Sequence, residues 1–379
     1  MFVLTNFFCK DGWLALVDHA ANFRFSRPWR RIMSVFHRNP TGKPNNPKKA
    51  MTHMKTVSDD RYLAADIGGT SSRFAIFHNQ SGRLHREQVV RIPTSEATSF
   101  TDLLGQLKAG PLGPKLADCR SGALAVAGAI QGGTQADPPN IPWAIDIRSI
   151  SISGMPDDLI LINDFAAQAY ACKTPALENG VVINAGRPDE HGMLGVIGAG
   201  TGLGHGMLAQ LPEGGFLVFP SEAGHAAFAF ANAEETAFAD FVRREQGLEY
   251  VHAEVIVSGQ GLTLLHQFHF GRRLKPEQVA AAMDDDSPVR AWFARFFGRA
   301  CRHFALNVLA TAGMVVAGGV AAKNPDLVQH PAFLREFKDN PNYHDLLQSI
   351  PVTLNVNEDS GLWGAALAAK MAVQRTGSG

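Results

Sequence analysis

The chain has 379 residues, of which 45% are hydrophobic and 18% are charged, and its formal net charge is zero. This composition is typical of a soluble globular protein, and the balanced charge gives no reason to expect a nucleic-acid partner. The length exceeds what one hydrophobic core usually supports, so two domains are expected. The four cysteines form no C-x-x-C pair and no zinc-site spacing, which favours a reducing, cytoplasmic setting without a structural metal.

The first 60 residues differ in composition from the rest. Residues 1–50 hold nine Lys or Arg and two Asp, a balance of +7, so the remainder of the chain carries −7. The segment is rich in Pro and Asn and lacks sustained periodicity, which predicts a disordered basic extension over residues 1–60. Two interpretations stay open: a mitochondrial transit peptide, or a start codon assigned too early, with Met51 or Met54 as the true start.

From Tyr62 onward, short β-rich runs alternate with helical patterns. The runs that predict strands are YLAADIGG, SRFAIFH, GALAVAGAI, DLILIN, GVVINAG, MLGVIGAG, GHGMLAQL and FLVFP. Helices are predicted at 234–246 and 288–310, and the second has an apolar stripe at three- and four-residue steps that is typical of a buried face. The uncharged run 304–322 predicts the end of this helix near Gly313 and then a short strand, and no membrane span. This mixture predicts an α/β protein.

Two stretches, AADIGGTSSRFAIF and VIGAGTGLGHGML, share a strand, a glycine-rich turn and a second strand. They lie about half a globular chain apart. Such a pair indicates an internal duplication, with two related sheets that face a cleft.

The first glycine-rich turn, DIGGTSSR, runs from Asp66 to Arg73. Gly68 and Gly69 permit backbone angles closed to other residues, so that consecutive N–H groups can point into one concavity that fits a phosphate; Thr70 adds a hydroxyl. Asp66, at the end of the strand, is placed to hold Mg²⁺ through water. A plain Asp-Gly hairpin turn is the alternative for this stretch on its own.

The second turn, GAGTGLG, is followed by HGMLAQL, which predicts a strand. A dinucleotide-binding fingerprint needs a helix there, and the P-loop pattern is absent, so this turn is a second hairpin suited to phosphate. A third stretch, VVAGGVAAKN, carries Gly318 and Gly319, against which a flat ring can lie. For the third stretch a tight turn is the alternative.

The stretch LILINDFAAQAYA places Asn163 and Asp164 where a buried strand ends and an Ala-rich helix begins. Either residue is an excellent helix N-cap, worth about 1 kcal/mol, and this is the structural interpretation of the pair. Further acids and amides at strand ends and loops favour a functional interpretation, in which all of them line one polar site. These further residues are Asn140, Glu222, His225 and Glu254.

The motif order D-I-G-G-T, N-D-F, G-A-G-T-G-L-G, E-x-G-H, S-G-x-G-L and A-G-G resembles the bacterial glucokinases, in the actin- and hexokinase-like superfamily of sugar kinases. The likeness runs from about Tyr62 to the C-terminus. It implies a two-domain actin/hexokinase-like (ribonuclease H-like) α/β fold with an interdomain cleft. The small domain is expected at 61–174 plus 359–379, where Asp359 and Gly361 start the last helix, and the large domain at 175–358.

The resemblance further implies a glucokinase that uses ATP and Mg²⁺ to phosphorylate the 6-hydroxyl of glucose, and it implies a homodimer. Asp164 corresponds to the catalytic base. The residues implied to bind the other sugar hydroxyls are Asn140, Asn163, Glu222, His225 and Glu254. The residues implied to bind ATP are Asp66, Ile67, Gly68, Gly69, Thr70, Ser71, Gly200, Thr201, Gly202, Gly318 and Gly319, with Asp66 also holding Mg²⁺ through water.

Three residues depart from the family pattern. Ser221 and Ala223 stand in the usual G-E-G-G-H motif, and Ser71 stands where an Asn often follows G-G-T. If position 223 needs a positive φ, Ala there would cost about 1 kcal/mol or more and shift Glu222 and His225. These departures leave three alternatives open: another hexose or amino sugar, another phosphoryl donor, or a sugar sensor without turnover.

Overall fold

The computed structural model describes residues 60–212 and 214–376, so the predicted extension lies outside the described residues except for its last residue, Asp60. The strands of the described part are β1 (Arg61–Ile67), β2 (Ser71–Gln80), β3 (Arg83–Pro93), β4 (Cys119–Val126), β5 (Ile130–Gln131), β6 (Gln135–Ala136), β7 (Ile145–Asp146), β8 (Asp158–Asn163), β9 (Val181–Asn184), β10 (Met193–Ala199), β11 (Leu203–Gln210), β12 (Phe216–Ser221), β13 (Gly313–Ala317) and β14 (Val352–Leu354).

The helices of the described part are α1 (Phe100–Ala109), α2 (Asp164–Ala171), α3 (Ala233–Gln246), α4 (Ala253–Ile256), α5 (Gly259–Phe270), α6 (Pro276–Ala282), α7 (Pro288–Val308), α8 (Gly319–Lys323), α9 (Asp326–Gln329), α10 (Pro331–Lys338), α11 (His344–Ser349) and α12 (Ser360–Thr376). Each predicted strand and both predicted helices are therefore confirmed, as is the α/β class. Within the described residues, no helix combines the length and the apolar character needed to cross a membrane.

Two larger sheets share one topology. The five-stranded sheet has the order β3-β2-β1-β4-β8, and the six-stranded sheet has the order β12-β11-β10-β13-β14-β9. In the first sheet, β1 runs antiparallel to β2 and parallel to β4, which is parallel to β8. In the second, β10 runs antiparallel to β11 and parallel to β13, which is parallel to β14. The repeated pattern supports the internal duplication, and β9 is an addition to the second copy.

Both faces of the five-stranded sheet are covered by helices. Side chains alternate along β1, as they must in a strand: Leu63 and Ala65 pack in the cluster with α1, whereas Tyr62 and Ala64 pack in the cluster with α12. A strand covered on both faces has a continuous apolar sequence, which is why YLAADI was recognisable.

The C-terminal helix α12 packs closely on α2. A Cβ added to Gly364 would overlap the carbonyl of Ala167, so only glycine lets the two helix backbones approach this far. Ser121 on β4 also donates a hydrogen bond of 3.0 Å to the Ala369 carbonyl. The last helix thus supports the sheet and α2 together, while the domain boundaries at 174/175 and 358/359 stay a prediction.

Helix α7 forms the core behind the six-stranded sheet. Its predicted stripe is confirmed, because Phe293, Phe296 and Phe297 are fully buried. The predicted end of this helix near Gly313 is wrong by several residues. The helix ends at Val308 because Leu309 adopts a left-handed φ of 48°, which stops the helical hydrogen bonding.

Candidate active site

Asn163 and Asp164 lie where β8 meets α2, and they divide the two predicted roles between them. The Oδ1 of Asn163 accepts hydrogen bonds from the N–H groups of Phe165 and Ala166, at 2.9 and 3.1 Å, and its Nδ2 donates to the Gly128 carbonyl at 3.1 Å. Asn163 is therefore the helix cap. Asp164 is the first residue of the helix, where its carboxylate does not have to serve as the cap.

The carboxyl group of Asp164 lies in a strongly perturbing environment. Burial raises its pKa to about 7, and the negative charges of Asp66 and Glu222 add to this effect. The N–H of Phe165, which donates to Asp164 Oδ1 at 3.0 Å, partly opposes it. A carboxyl group with a pKa near neutrality can take up and release a proton at physiological pH, which suits a general base.

The hairpin of β10 and β11 lies directly against the first turn of α2. A Cβ at Gly204 would overlap the ring of Phe165, and one at Gly198 would approach that ring to 2.9 Å. The two glycines thus make room for Phe165. This packing places Asp164, its chain neighbour, next to the second glycine-rich turn.

The first glycine-rich turn leaves no room for a side chain at Gly69. Neither Gly68 nor Gly69 has a positive φ, so neither adopts a left-handed backbone angle that would by itself require glycine, and the phosphate-binding role of the turn stays a prediction. A Cβ on Gly69 would instead lie 2.6 Å from the Asn140 carbonyl oxygen, which explains why glycine is needed there. The side chain of Ile67 is 1% exposed in the core, so only its backbone is available to a ligand.

The second glycine-rich turn is held by α4 and α5. The Gly200 N–H donates to the Gly202 carbonyl at 2.8 Å, and the Gly259 N–H donates to the Gly200 carbonyl at 3.0 Å. The Glu254 Oε2 accepts a hydrogen bond of 3.0 Å from the Leu203 N–H. A predicted sugar-binding carboxylate therefore lies directly on the predicted phosphate turn.

Both turns open onto shared cavities. The loop cavity, of about 630 Å³, is lined by the first turn and by residues of the second turn, of β13–α8 and of the start of α12, including Gly68, Gly69, Thr70, Ser71, Asn140, Thr201, Gly318 and Gly319. The large cavity, of about 1010 Å³, is lined by α5, α6 and α8 together with Gly200 and Thr201. Thr201, Gly319 and Lys323 line both cavities, so the two are continuous.

Cationic side chains line these cavities, although none of the predicted site residues is a Lys or an Arg. Lys323, Arg73 and Arg91 line the loop cavity, and Arg273 and Lys275 line the large cavity. Lys323 was within reach of sequence reasoning, since it follows the paired glycines of the quoted stretch VVAGGVAAKN. Arg73 ends the quoted stretch DIGGTSSR and was also within reach, whereas Arg91, Arg273 and Lys275 come from segments that no motif marked.

Asp66 is anchored to the start of α12 through Arg73. The guanidinium of Arg73 forms a short ion pair with Asp66 and a second ion pair of 3.3 Å with Asp359. Arg86 approaches the same Asp359 to 2.6 Å. This network orients the Asp66 carboxylate beside the first turn.

The remaining predicted residues form a partly exposed polar group. Glu222 and His225 have side chains that are 52% and 55% exposed, and His225 Nε2 lies 3.8 Å from Glu222 Oε2. Ligating atoms of His225, His252 and Glu254 lie within 4.8 Å of one another. Burial, with the neighbouring His225, holds the pKa of His252 below its usual range. His252 opens the stretch HAEVIVSGQGL, from which only Glu254 was predicted to be a site residue.

Ala223 fits its position without strain. In the described part of the chain, only Ser81 and Leu309 combine a side chain with a positive φ. Ala223 begins a short 3₁₀ turn, and its N–H donates to Ser221 Oγ at 3.3 Å. Ala223 therefore gives no reason to expect the shift of Glu222 that a positive φ at position 223 would have caused.

Structural comparison confirms the actin/hexokinase-like fold. A glucokinase from an Antarctic psychrotroph has a TM-score of 0.70 at 26% identity, covering 83% of this chain and 100% of that chain. Glucokinase from Balamuthia mandrillaris, in complex with glucose, has a TM-score of 0.71 at 21% identity, covering 84% and 95%. A ROK family glucokinase from Streptomyces griseus, in complex with glucose and AMPPNP, has a TM-score of 0.56 at 19% identity, covering 82% and 99%.

Sequence comparison gives the same relationship. The chain is 29% identical over 345 residues to a glucokinase of Nostoc punctiforme, covering 81% of this chain and 98% of that protein. It is 30% identical over 332 residues to a glucokinase of Nitrobacter hamburgensis, covering 84% and 98%. The family model for Glucokinase matches residues 63–372, which is most of the chain. This protein therefore belongs to the glucokinase family.

Proposed function

We propose that this protein transfers the γ-phosphoryl group of ATP to the 6-hydroxyl of glucose, giving glucose 6-phosphate and ADP. The observation that carries the proposal is the convergence of both glycine-rich turns on one cavity, with Asp164 close enough to Asp66 for the charge of Asp66 to raise its pKa. Membership of the glucokinase family supports the sugar as acceptor. The bound glucose and AMPPNP of the related structures support the same pair of substrates.

In this proposal the nucleotide spans the two continuous cavities. The large cavity, of about 1010 Å³, is of the size of a small-molecule site and takes the adenosine near Gly319. The phosphates extend into the loop cavity between Gly69 and Thr201. Lys323 lines both cavities, so its ammonium group is placed to neutralise phosphate charge at their junction.

The donor chemistry at the first turn fits Mg²⁺ that arrives with ATP. Mg²⁺ prefers carboxylate oxygens and keeps several waters, and Asp66 presents a carboxylate next to the first turn, held by Arg73, which lines the loop cavity. Bound Mg²⁺ would supply neutralisation of the phosphate charge. Asp66 would hold it, and Arg73 would orient the Asp66 carboxylate.

Asp164 acts as the general base in this proposal. Its carboxylate accepts the proton of the sugar 6-hydroxyl as that oxygen attacks the γ-phosphorus, a contribution that is typically about 10²–10⁴-fold. The rest of the rate enhancement comes from positioning and from charge stabilisation, since phosphoryl transfer needs little covalent participation. The cap formed by Asn163 positions Asp164 for this step.

The other sugar hydroxyls would be bound by Asn140, Glu222, His225 and Glu254, with one remaining N–H of Asn163. Asn163 already uses its Oδ1 for the cap and one N–H for Gly128, so a single donor is left for a sugar. A site built from such groups rejects analogues that lack a hydroxyl, because a buried polar group is then left unpaired.

Four finer expectations belong to the proposal. They are a cleft between two domains that closes on the sugar, the domain boundaries given above, a homodimer, and a cytoplasmic location. Sedimentation measures the oligomeric state directly. Comparison of small-angle scattering with and without glucose tests closure, because a hinge motion reduces the radius of gyration.

An ADP-release assay with ATP, Mg²⁺ and a panel of sugars tests the proposed reaction. Glucose is expected to give the highest kcat/KM, and 6-deoxyglucose, which lacks the acceptor hydroxyl, is expected to give no turnover above the ATPase background. Phosphorus NMR of the product identifies the phosphorylated position. ADP release that is equal with glucose and with 6-deoxyglucose would reject the 6-hydroxyl as the acceptor, and a higher kcat/KM for an amino sugar would reassign the substrate.

A further inference from the structure

Two histidines and a glutamate form a compact cluster beside the second glycine-rich turn. Ligating atoms of His225, His252 and Glu254 all lie within 4.8 Å of one another. His225 ends the 3₁₀ turn after β12, His252 precedes α4, and Glu254 lies within α4. The function proposed above uses two of these residues and leaves His252 unexplained.

The backbone that carries the cluster is well defined. An isolated antiparallel bridge joins Ala227 to His252. The Phe228 N–H donates to the Val251 carbonyl at 2.9 Å, and the Ala253 N–H donates to the Ala226 carbonyl at 3.2 Å. The segment after His225 is therefore paired with the segment around His252. This pairing holds the backbone on both sides of the cluster in place.

Two of the side chains have unused ligand atoms. The Nδ1 of His252 is buried and has no hydrogen-bond partner among the described residues, a costly arrangement that a ligand would relieve. Glu254 accepts its one hydrogen bond on Oε2, from the Leu203 N–H, so none of the described residues donates to its Oε1. No Lys or Arg of the described part forms an ion pair with Glu254 or with Glu222.

The donor set fits a zinc-type ion. Two imidazoles and one carboxylate, with the fourth position open, are ligands that Zn²⁺ takes in proteins, whereas imidazole does not suit Mg²⁺. Tetrahedral Zn²⁺ holds its ligand atoms about 3.4 Å apart, so no separation in the cluster has to close by more than roughly 1.4 Å. The half-exposed side chain of His225 has the freedom to make this movement.

We propose that His225, His252 and Glu254 bind a Zn²⁺-type divalent cation and that this ion excludes the sugar. The exclusion rests on the proposed function, because His225 and Glu254 are the groups proposed to bind sugar hydroxyls. An ion that takes both side chains leaves glucose without these contacts. His252 thus makes the sugar site sensitive to transition metals.

Calorimetric titration of the full chain with Zn²⁺, without sugar or nucleotide, tests the site itself. Losing even an outer-shell partner costs about 10–100-fold in affinity, so loss of the direct ligand in His252→Ala should abolish one Zn²⁺ site. His252→Gln provides a second variant of similar size, and circular dichroism checks the fold of both. His191→Ala removes an exposed histidine elsewhere and should keep the site. Equal Zn²⁺ affinity and stoichiometry in the wild type and both His252 variants would overturn the proposal.

Titration with glucose in the presence and absence of Zn²⁺ tests the exclusion. Saturating Zn²⁺ should raise the apparent Kd for glucose at least about tenfold in the wild type, and it should have no such effect in His252→Ala. Zn²⁺ binding that leaves the Kd for glucose unchanged would overturn the exclusion. Glucose that fails to bind even without Zn²⁺ would count against the proposed function, while the Zn²⁺ titration would still decide the metal site.

Discussion

Replacing Asp164 by Asn measures how much free energy of unfolding the protein loses by holding a carboxylate at the start of α2. Asn has nearly the same shape, and its Oδ1 can still accept the hydrogen bond from the Phe165 N–H. What disappears is the negative charge, which is disfavoured by burial and by the charges of Asp66 and Glu222. The variant should therefore be more stable than the wild type wherever Asp164 is ionised.

The magnitude follows from the pKa. The pKa of Asp164 is about 7 in the folded state against an ordinary value of 3.8. The folded state binds the proton of Asp164 more tightly than the unfolded state does. The stability gained from the bound proton is therefore complete below about pH 4 and is lost as the pH rises through 7. Each pH unit between the two pKa values corresponds to about 1.4 kcal/mol. The perturbed carboxyl group thus lowers stability by roughly 4 kcal/mol at pH 8, where it is ionised in the folded state. At pH 5 it lowers stability by about 2 kcal/mol, because it is ionised in the unfolded state and must take up a proton on folding.

Urea unfolding at pH 5 and pH 8, without sugar or nucleotide, measures this cost. The stability advantage of Asp164→Asn over the wild type should widen by about 2–3 kcal/mol between the two pH values. Asp286→Asn, at an exposed position, is the matched control and should show no such widening. The same Asp164 variant should bind glucose in calorimetry while kcat falls by about 10²–10⁴-fold.

Two results would refute this reasoning. A pH-independent stability difference would mean that the folded protein does not hold an energetically costly carboxylate at position 164. Near-normal turnover of Asp164→Asn would remove the residue from the role of general base, whatever its effect on stability.

Three further substitutions test separate parts of the account. Glu254→Gln should raise the KM for glucose with a smaller change in kcat, and an unchanged KM in steady-state kinetics would remove Glu254 from the sugar site. Lys323→Met should raise the KM for ATP and leave the Kd for glucose unaltered, while Lys338→Met serves as a control outside both cavities; equal KM values for ATP in the two variants would exclude Lys323 from phosphate binding. Glu235→Gln should destabilise the fold by about 2–3 kcal/mol in urea unfolding, because the buried Arg299 loses one of its two carboxylate partners and keeps only Glu336; a loss below about 1 kcal/mol would show that this pair is not needed.

Strands covered on both faces were the most predictable part of the fold. DLILIN and MLGVIGAG are apolar runs because the side chains of β8 and of β10 pack in hydrophobic clusters on both faces of their sheets. Strand β3 was missed for the opposite reason. It is one of the two edge strands of its sheet, most of its residues are at least partly exposed, and its polar sequence shows no clear alternation. The left-handed φ of Leu309, which ends α7, has no sequence signal.

Residues of the candidate site were predictable from the sequence only where they belong to a recognisable motif. The glycine-rich turns line one pair of cavities, whereas the residues that line them do not include Asp164, Glu222, His225 or Glu254. The first-turn glycines also lack the positive φ that only glycine readily adopts. Gly69 and Gly204 are needed for clearance from Asn140 and Phe165, and such partners become known only once distant segments fold together. His252 was missed for the same reason, since only folding brings it next to His225.

A crystal structure with glucose and AMPPNP tests the central claim most directly. The account predicts the 6-hydroxyl oxygen of glucose within about 3.2 Å of the Asp164 carboxylate, and the nucleotide phosphates between Gly69 and Thr201 in the loop cavity. Glucose bound with its 6-hydroxyl directed away from Asp164, or phosphates bound outside the loop cavity, would contradict it.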